Sequence, residues 1–182
     1  MRLGKTLDLF DRRVWRSWLA KHHATEKEIW LIYYRKHAGK PRIPYDDAVE
    51  EALCFGWIDS TVKKIDADRY AQRFTPRREG SQVSQMNMER SRALIKAGKM
   101  TQAGLEKIKS QLDARFIVPK DILAALKKDK AAWDNFQKFP EHYKRIRVAF
   151  VEGARSRPDM FRQRLQHFLK MTTQNKKFGM VR

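Results

Sequence analysis

The chain has 182 residues, with 40 Lys and Arg against 21 Asp and Glu, which gives a formal charge of 40 − 21 = +19. Its hydrophobic content of 42% excludes an unfolded basic tail, because disordered segments contain too few apolar residues to form a core. The lone cysteine, Cys54, excludes an internal disulfide framework. The sequence has no run of about 18 apolar residues, so no transmembrane helix is predicted. We therefore expect a folded basic protein of the cytoplasm that binds an anionic partner.

Three elements are predicted in the first third of the chain. Apolar residues from Phe10 to Leu19 recur at helical spacing, which indicates an amphipathic helix. Residues 28–35 are rich in β-branched and aromatic side chains, which favours a buried strand. A second helix is expected after Pro44 and ends before Gly56, because glycine commonly terminates helices.

A β-hairpin is predicted next, with strands at residues 57–65 and 69–77 joined by a three-residue loop. Side chains alternate along each strand, so pairing of Ile65 with Arg69 assigns them to two faces. One face is predicted to carry apolar and aromatic residues, namely Ile58, Val62, Tyr70 and Phe74. The other is predicted to carry polar and charged residues, namely Asp59, Thr61, Lys63, Arg69, Arg73 and Arg77.

Helices dominate the remainder of the sequence. One is predicted from Ser84 to Gly98 and another from Thr101 through Leu112, and four more follow Pro119. The sequence therefore predicts an α+β fold, in which a small antiparallel sheet packs with helices in the N-terminal part. The predicted boundaries are a mixed domain at residues 1–118 with the hairpin near 57–77, a helical domain at 119–174 and a basic tail at 175–182.

Side chains with catalytic or metal-binding potential are few, and each has a structural explanation. Cys54 is a candidate nucleophile if a histidine approaches it in space, but its position on the apolar phase of a helix favours the core. An acidic cluster suits acid–base chemistry or a divalent ion, but the first turns of a helix predict an exposed face for Asp46, Asp47, Glu50 and Glu51. No phosphate-loop, nucleophile-elbow or zinc-protease motif occurs. We therefore predict no catalytic residue, no metal and no cofactor, and a non-enzymatic function is favoured.

The predicted hairpin carries the best candidate for a binding site. Guanidinium groups suit phosphate or carboxylate, because they donate several hydrogen bonds in a fixed plane. We predict an anion site that combines a basic row, one acidic residue that orients an arginine and two aromatic neighbours: Lys63, Arg69, Arg73, Arg77, Asp59, Trp57 and Tyr70. A solvated strand face is the alternative for the basic row. The aromatic residues suit either base stacking or core packing.

Several blocks of the sequence resemble a known bacterial family. The likeness is carried by three runs: Phe55-Gly56-Trp57-Ile58-Asp59-Ser60, Gln72-Arg73-Phe74-Thr75-Pro76-Arg77-Arg78 and Phe139-Pro140-Glu141-His142-Tyr143-Lys144-Arg145. These runs are similar to the family called YdeI or OmpD-associated, also named bacteriocin-protection proteins, and the likeness covers nearly the whole chain. Val83 departs from the pattern, which has an aromatic residue at this position, so a stacking role is not expected for that loop.

The resemblance implies a stress-response protein that helps bacteria withstand bacteriocins or cationic antimicrobial peptides, and it supplies no catalytic residue. A charge of +19 repels a cationic peptide, so we expect protection to act through an anionic protein, membrane surface or nucleic acid. Two alternatives remain, a protein that binds RNA or DNA through its basic surface and an enzyme on a small anionic substrate. In the enzyme alternative, the side chains that act on the anionic substrate are those of Asp59, Arg73 and Tyr70.

Overall fold

The computed structural model describes residues 3–179, which form two compact units. The first unit ends at Asp113 and the second begins at Ala114. Within the described residues, no helix has both the length and the apolar character that a membrane span requires. The predicted domain boundary at residue 118 and the predicted basic tail at 175–182 stay predictions, and residues 180–182 of that tail lie outside the described residues.

The first unit is built on a four-stranded sheet in the order β1-β2-β4-β3. The strands are β1 (Thr6–Asp8), β2 (Ile29–Tyr34), β3 (Trp57–Lys64) and β4 (Arg69–Pro76). Strand β1 lies parallel to β2, whereas the β2–β4 and β3–β4 pairs are antiparallel. The predicted α+β class is confirmed. The sequence pattern does not reveal β1, because a three-residue strand is too short to show a period of two.

Short α-helices connect and cover the strands of the first unit. They are α1 (Arg12–His22), α2 (Tyr45–Cys54), α3 (Gln85–Lys96), α4 (Gln102–Glu106) and α5 (Lys109–Leu112), and a 3-10 turn spans Lys36–Ala38. The predicted starts at Ser84 and Thr101 are confirmed, since each side chain accepts a backbone N–H bond in the first helical turn. The single helix predicted from Thr101 to Leu112 is wrong, because the chain leaves helical geometry at Ile108 and buries that side chain.

The core of the first unit lies between the sheet and helices α1 and α2. Trp15 of α1 packs against Phe74 of β4 with ring centroids 5.5 Å apart, and its indole N–H donates to the carbonyl oxygen of Ala48. Cys54 belongs to this core with 0% exposure, as its helical phase predicts. Burial raises the pKa of the Cys54 thiol, because a low-dielectric surrounding disfavours the thiolate. Cys54 therefore has the environment of a packing residue, not of a nucleophile.

Acidic residues of α2 form ion pairs with arginines of the neighbouring helix α1. Arg12 contacts the carboxylates of Asp47 and Glu50, each at 3.0 Å. Glu51 is 2% exposed and accepts from Arg12 at 2.5 Å and from Arg16 at 2.7 Å. The predicted exposed face is therefore wrong at Glu51, whose buried charge is compensated by two guanidinium groups.

The hairpin register follows the prediction at its turn and departs from it farther along. The N–H of Ile65 donates to the carbonyl oxygen of Arg69 at 3.0 Å, as the three-residue loop predicts. A β-bulge between Asp59 and Val62 then shifts the register, so that Asp59 lies opposite Phe74. One extra residue reverses the alternation of side chains. Asp59 therefore shares the helix-covered face with Phe74, and its predicted place on the basic face is wrong.

The second unit contains four α-helices in its described part, as predicted. They are α6 (Lys120–Lys128), α7 (Lys130–Lys138), α8 (Glu141–Glu152) and α9 (Pro158–Thr173). Their apolar faces enclose a core that includes Phe136 and Phe168. Asp129 precedes α7, where its carboxylate accepts from the N–H of Ala132 at 3.1 Å and from the hydroxyl of Thr173 at 2.8 Å. This carboxylate thus joins the beginning of α7 to the end of α9.

Candidate anion-binding site

A groove of about 1000 Å³ lies at the open end of the hairpin, opposite its turn. The beginning of β3, the end of β4 and the residues that follow β4 line one side of this groove. The segment after α1, at residues 23–27, and the end of α4 with Lys107 line the rest. Trp57, Arg73 and Arg77 are among its lining residues. The structure thus brings three of the predicted site residues to one concave surface.

A glycine turn positions two cations of the groove. Gly56 joins α2 to β3 with a φ of +73°, a left-handed conformation that glycine adopts without strain. Its carbonyl oxygen accepts the backbone N–H of Arg77 at 2.8 Å. A Cβ atom at Gly56 would lie 2.8 Å from the carbonyl oxygen of Ala103 and 2.9 Å from Cγ of Lys107. The absence of a side chain therefore lets Lys107 approach the turn whose carbonyl oxygen binds the backbone of Arg77.

Arg77 is a buried cation in the groove wall, with 7% of its surface exposed. Its Nη1 donates to Ser81 Oγ and to the carbonyl oxygen of Gln82, both at 3.3 Å. Within residues 3–179, no carboxylate forms an ion pair with Arg77, and its Nε–H and Nη2–H groups have no hydrogen-bond partner. Burial lowers the pKa of Arg77, because a low-dielectric surrounding disfavours the charged form, and the Asp59 carboxylate acts in the opposite direction. Arginine stays charged at neutral pH, so Arg77 is a buried charge that lacks close compensation.

Three further cations, Lys27, Arg78 and Lys107, line the groove. None of the three forms an ion pair with a carboxylate in the described part of the chain. Arg73 also lines the groove, but its Nε donates to the Glu28 carboxylate at 2.8 Å. This contact lowers the pKa of Glu28, because hydrogen bonds from a cation stabilise the carboxylate. Arg73 is therefore compensated within the fold, whereas the other three are available to an anion.

Two carboxylates face the same groove. Glu26 forms an ion pair with Lys5 at 2.5 Å, and Glu106 accepts a hydrogen bond from Gln102 at 3.2 Å. With five basic lining residues against these two acidic ones, the formal charge of the lining is 5 − 2 = +3. A positive concave surface concentrates anions, because its low-dielectric walls focus the field. The arrangement therefore suits an anionic ligand.

The structure places the predicted basic row at two ends of β4. Arg69 and Arg77 are eight residues apart along extended chain, a separation of roughly 26 Å. Arg69 lies at the turn, where its side chain forms an ion pair with Asp66 at 2.7 Å. Lys63 lies near the same turn, close to the end of β3. The groove thus uses Arg73 and Arg77 from the predicted row.

Asp59 and Tyr70 lie on the helix-covered face of the sheet. Asp59 accepts a hydrogen bond from the hydroxyl of Tyr45 at 2.7 Å, and Tyr70 stacks on Tyr33 with ring centroids 5.3 Å apart. Asp59 and Arg73 face opposite sides of the sheet, because the bulge turns Asp59 towards the helices. Arg73 is therefore not brought together with Asp59 and Tyr70, the other two groups of the enzyme alternative. Among residues 3–179, no group of three or more His, Cys, Asp or Glu side chains is placed to hold a metal ion.

Aromatic side chains near the groove are core residues. Trp57 is 1% exposed, and its indole N–H donates to the carbonyl oxygen of His23 at 3.0 Å. Phe55, which also lines the groove, is 7% exposed. Stacking of a nucleic-acid base requires an exposed ring face, which these two side chains do not offer.

Sequence reasoning missed Lys27, Lys107 and the positioning role of Gly56. Lys107 follows Arg77 by 30 residues, so periodicity within one element cannot reveal their proximity. The proximity depends on how α4 packs on the end of α2, where the hydroxyl of Thr101 donates to the carbonyl oxygen of Cys54 at 2.5 Å. The available signal was a glycine between a predicted helix and a predicted strand, which marks a turn but not the loop that approaches it.

Two family models match the chain, and together they cover both units. One, described as a domain of unknown function (DUF8412), matches residues 7–107, more than half of the chain. The other, described as bacteriocin-protection, YdeI or OmpD-associated, matches residues 115–175. Fold and groove define an α+β protein with a basic concave site in its first unit.

The chain belongs to the family of this domain of unknown function, and its residues 115–175 match the YdeI or OmpD-associated family, which confirms the resemblance for this part of the chain. The Phe-Gly-Trp-Ile-Asp-Ser run at residues 55–60 lies in the first match, and the run at 139–145 lies in the second. No curated protein and no solved structure matches the chain. The candidate groove therefore lies within the matched region whose function is unknown.

Proposed function

We propose that the protein binds an anionic partner in the basic groove without catalysing a reaction, and that this binding contributes to tolerance of bacteriocins or cationic antimicrobial peptides. The observation that carries the proposal is Arg77, a buried guanidinium group with no ion-pair partner in the described part of the chain. The description of the second family supports the biological role. We propose the cytoplasm as the compartment, which the lone buried thiol of Cys54 supports, because thiols stay reduced there.

The energetics of Arg77 favour an incoming anion. Removing a cation from water costs several kcal/mol even after the surroundings relax. Two hydrogen bonds to neutral oxygens of Ser81 and Gln82, both at 3.3 Å, offset a part of this cost. An anion at the remaining Nε–H and Nη2–H edge supplies short charge-assisted hydrogen bonds and the missing negative charge. Anion binding therefore adds close compensation to a charge that, within the described residues, interacts with the Asp59 carboxylate but forms no ion pair.

The net charge of the protein supports an indirect route to protection. At +19 the protein repels a cationic peptide over several ångströms, so it does not sequester such a peptide by charge. An anionic partner is attracted by the same field and is then held at the groove. We therefore propose that tolerance arises through the partner and not through direct capture of the toxic peptide.

Nucleic-acid binding is the alternative use of the same charge. Of the two aromatic residues predicted at the site, Trp57 is buried and Tyr70 already stacks on Tyr33, so a nucleic acid would contact the protein mainly through phosphates. Such binding is independent of sequence and weakens steeply with salt. It would also involve the 16 basic residues of positions 120–182, which are not part of the groove lining.

The biological test uses a deletion strain complemented with three versions of the gene. Wild type and a Lys128→Met control remain protective, because exposed Lys128 lies on α6 and its loss lowers the net charge by one without touching the groove. Arg77→Met removes the same charge from the groove and is expected to lose protection. Survival after exposure to a cationic peptide is the measurement, and immunoblotting checks that the variants are equally abundant. Full protection by Arg77→Met would contradict the proposal.

A further inference from the structure

The lining of the groove favours one class of anion, an inference that rests on the proposed function and makes it more specific. We infer that the groove takes a phosphomonoester, a terminal phosphate carried by a larger organic molecule, with Arg77 as its principal contact. Lys107 and Arg78 line the same groove and supply further positive charge around this phosphate.

Charge is the first argument for this class. A phosphomonoester carries a charge of about −1.5 to −2 at pH 7, whereas a carboxylate carries a single negative charge. The groove lining has a formal charge of +3. In addition to Arg77, three of its cations form no ion pair in the described part of the chain. A dianion therefore compensates this lining better than a monoanion does.

The number of hydrogen-bond donors is the second argument. Arg77 presents Nε–H and Nη2–H without protein partners among residues 3–179, an edge that matches two oxygens of one phosphate. A terminal phosphate has three free oxygens, so one oxygen remains for a second cation such as Lys107. A carboxylate has two oxygens, and both are used by the arginine edge. The phosphate thus engages more of the cations that line the groove.

The size of the groove indicates that the phosphate is attached to a larger group. Its volume of about 1000 Å³ is at the upper end of the range of roughly 300–1000 Å³ for small-molecule sites. Inorganic phosphate would fill a small part of this space. The lining also includes Ile58 and Pro76, whose apolar surfaces suit an organic portion of the ligand. A soluble sugar phosphate and the head group of phosphatidic acid share the required chemistry.

Calorimetric titration at low ionic strength tests the inference with probes that differ in one group. Glucose 6-phosphate and glucuronate share a sugar ring but carry a phosphomonoester and a carboxylate, respectively. We expect the wild-type protein to bind glucose 6-phosphate at least about tenfold more tightly than glucuronate. Vesicles that contain phosphatidic acid, compared with vesicles that contain the phosphodiester lipid phosphatidylglycerol, show whether the phosphomonoester can also be part of a lipid surface.

Three variants locate the binding. Arg77→Met and Lys107→Met are each expected to weaken glucose 6-phosphate binding by about tenfold or more, because each removes a charged donor. Lys128→Met is the matched control and is expected to leave the affinity unchanged within about twofold, since Lys128 is exposed and is not part of the groove lining. Circular dichroism verifies that each variant is folded, and Lys107→Met decides the question if Arg77→Met does not fold.

Each outcome discriminates between the two proposals. Equal affinity for glucose 6-phosphate and glucuronate overturns the phosphomonoester class, while the proposed anion-binding function stands. Binding of neither sugar anion and of neither vesicle by the folded wild-type protein overturns both. Selective binding that persists in Arg77→Met and in Lys107→Met overturns the assignment to the groove.

Discussion

The backbone N–H of Arg77 donates a 2.8 Å hydrogen bond to the carbonyl oxygen of Gly56. This contact joins the residue after β4 to the turn between α2 and β3, next to the last strand pair of the hairpin, Trp57 and Pro76. The same turn lies beside Lys107. Two cations of the groove, Arg77 and Lys107, therefore contact the same turn.

Substitution of Gly56 by alanine is expected to destabilise the protein more than the same change at Gly80. Both glycines have positive φ values, +73° and +67°, so each alanine costs about 1–2 kcal/mol of backbone strain. At Gly56 the new Cβ also meets the carbonyl oxygen of Ala103 at 2.8 Å, whereas nothing lies within 4 Å at Gly80. We expect a total loss of about 3 kcal/mol or more for Gly56→Ala, measured by urea unfolding. Equal losses for the two variants would contradict the close approach.

Glu51→Gln is expected to lower the free energy of unfolding by about 2–3 kcal/mol, because it removes the buried charge that Arg12 and Arg16 share. Glu50→Gln on the same helix is the control. Its ion pair with Arg12 is only half-buried, so we expect a loss below about 1 kcal/mol. Chemical denaturation of both variants gives the comparison, and a larger loss for Glu50→Gln would refute the ion-pair arrangement.

These acidic residues also show where sequence reasoning ends. Periodicity within α2 identifies its apolar side, on which Cys54 lies, and the structure confirms that side as core. Periodicity does not show that Arg12 and Arg16 of α1 approach Glu51, because that contact depends on the packing of two helices. The bulge near Asp59 is a comparable case: the sequence predicts the hairpin and its turn, but the extra residue depends on contacts between strands. The groove likewise combines segments that are distant in the chain.

Native Cys54 is expected to resist alkylation. Burial raises the pKa of its thiol and excludes the reagent, so iodoacetamide reaches it only when the fold opens. At pH 8 we expect a rate at least about a hundredfold lower in the native protein than in urea, followed by mass spectrometry. Comparable rates in the two conditions would show an accessible thiol and would revive the nucleophile hypothesis.

Stability in acid is expected to depend on the ion pair of Glu28 with Arg73. Hydrogen bonds from Arg73 lower the pKa of Glu28 in the folded state below the unfolded value of about 4.3. The ion pair therefore contributes fully to the free energy of unfolding above a pH of about 4.3. This contribution is lost as the pH falls through the lower pKa of Glu28 in the folded state. The difference in unfolding free energy between wild type and Glu28→Gln should shrink as the pH falls below about 4.3. A difference that is independent of pH would contradict the ion pair, and Glu79→Gln, at an exposed position, is the control.

The central claim is that anions bind at one groove and not over the basic surface as a whole. Titration of the ¹⁵N-labelled protein with glucose 6-phosphate, followed by two-dimensional NMR, tests it most directly. We predict saturable shifts of the Arg77 and Lys107 backbone amides and of the Trp57 indole N–H, while the Trp133 indole in the second unit is unaffected. Shifts spread over α6 to α9, with none at Arg77, would show a diffuse electrostatic interaction and would contradict the claim.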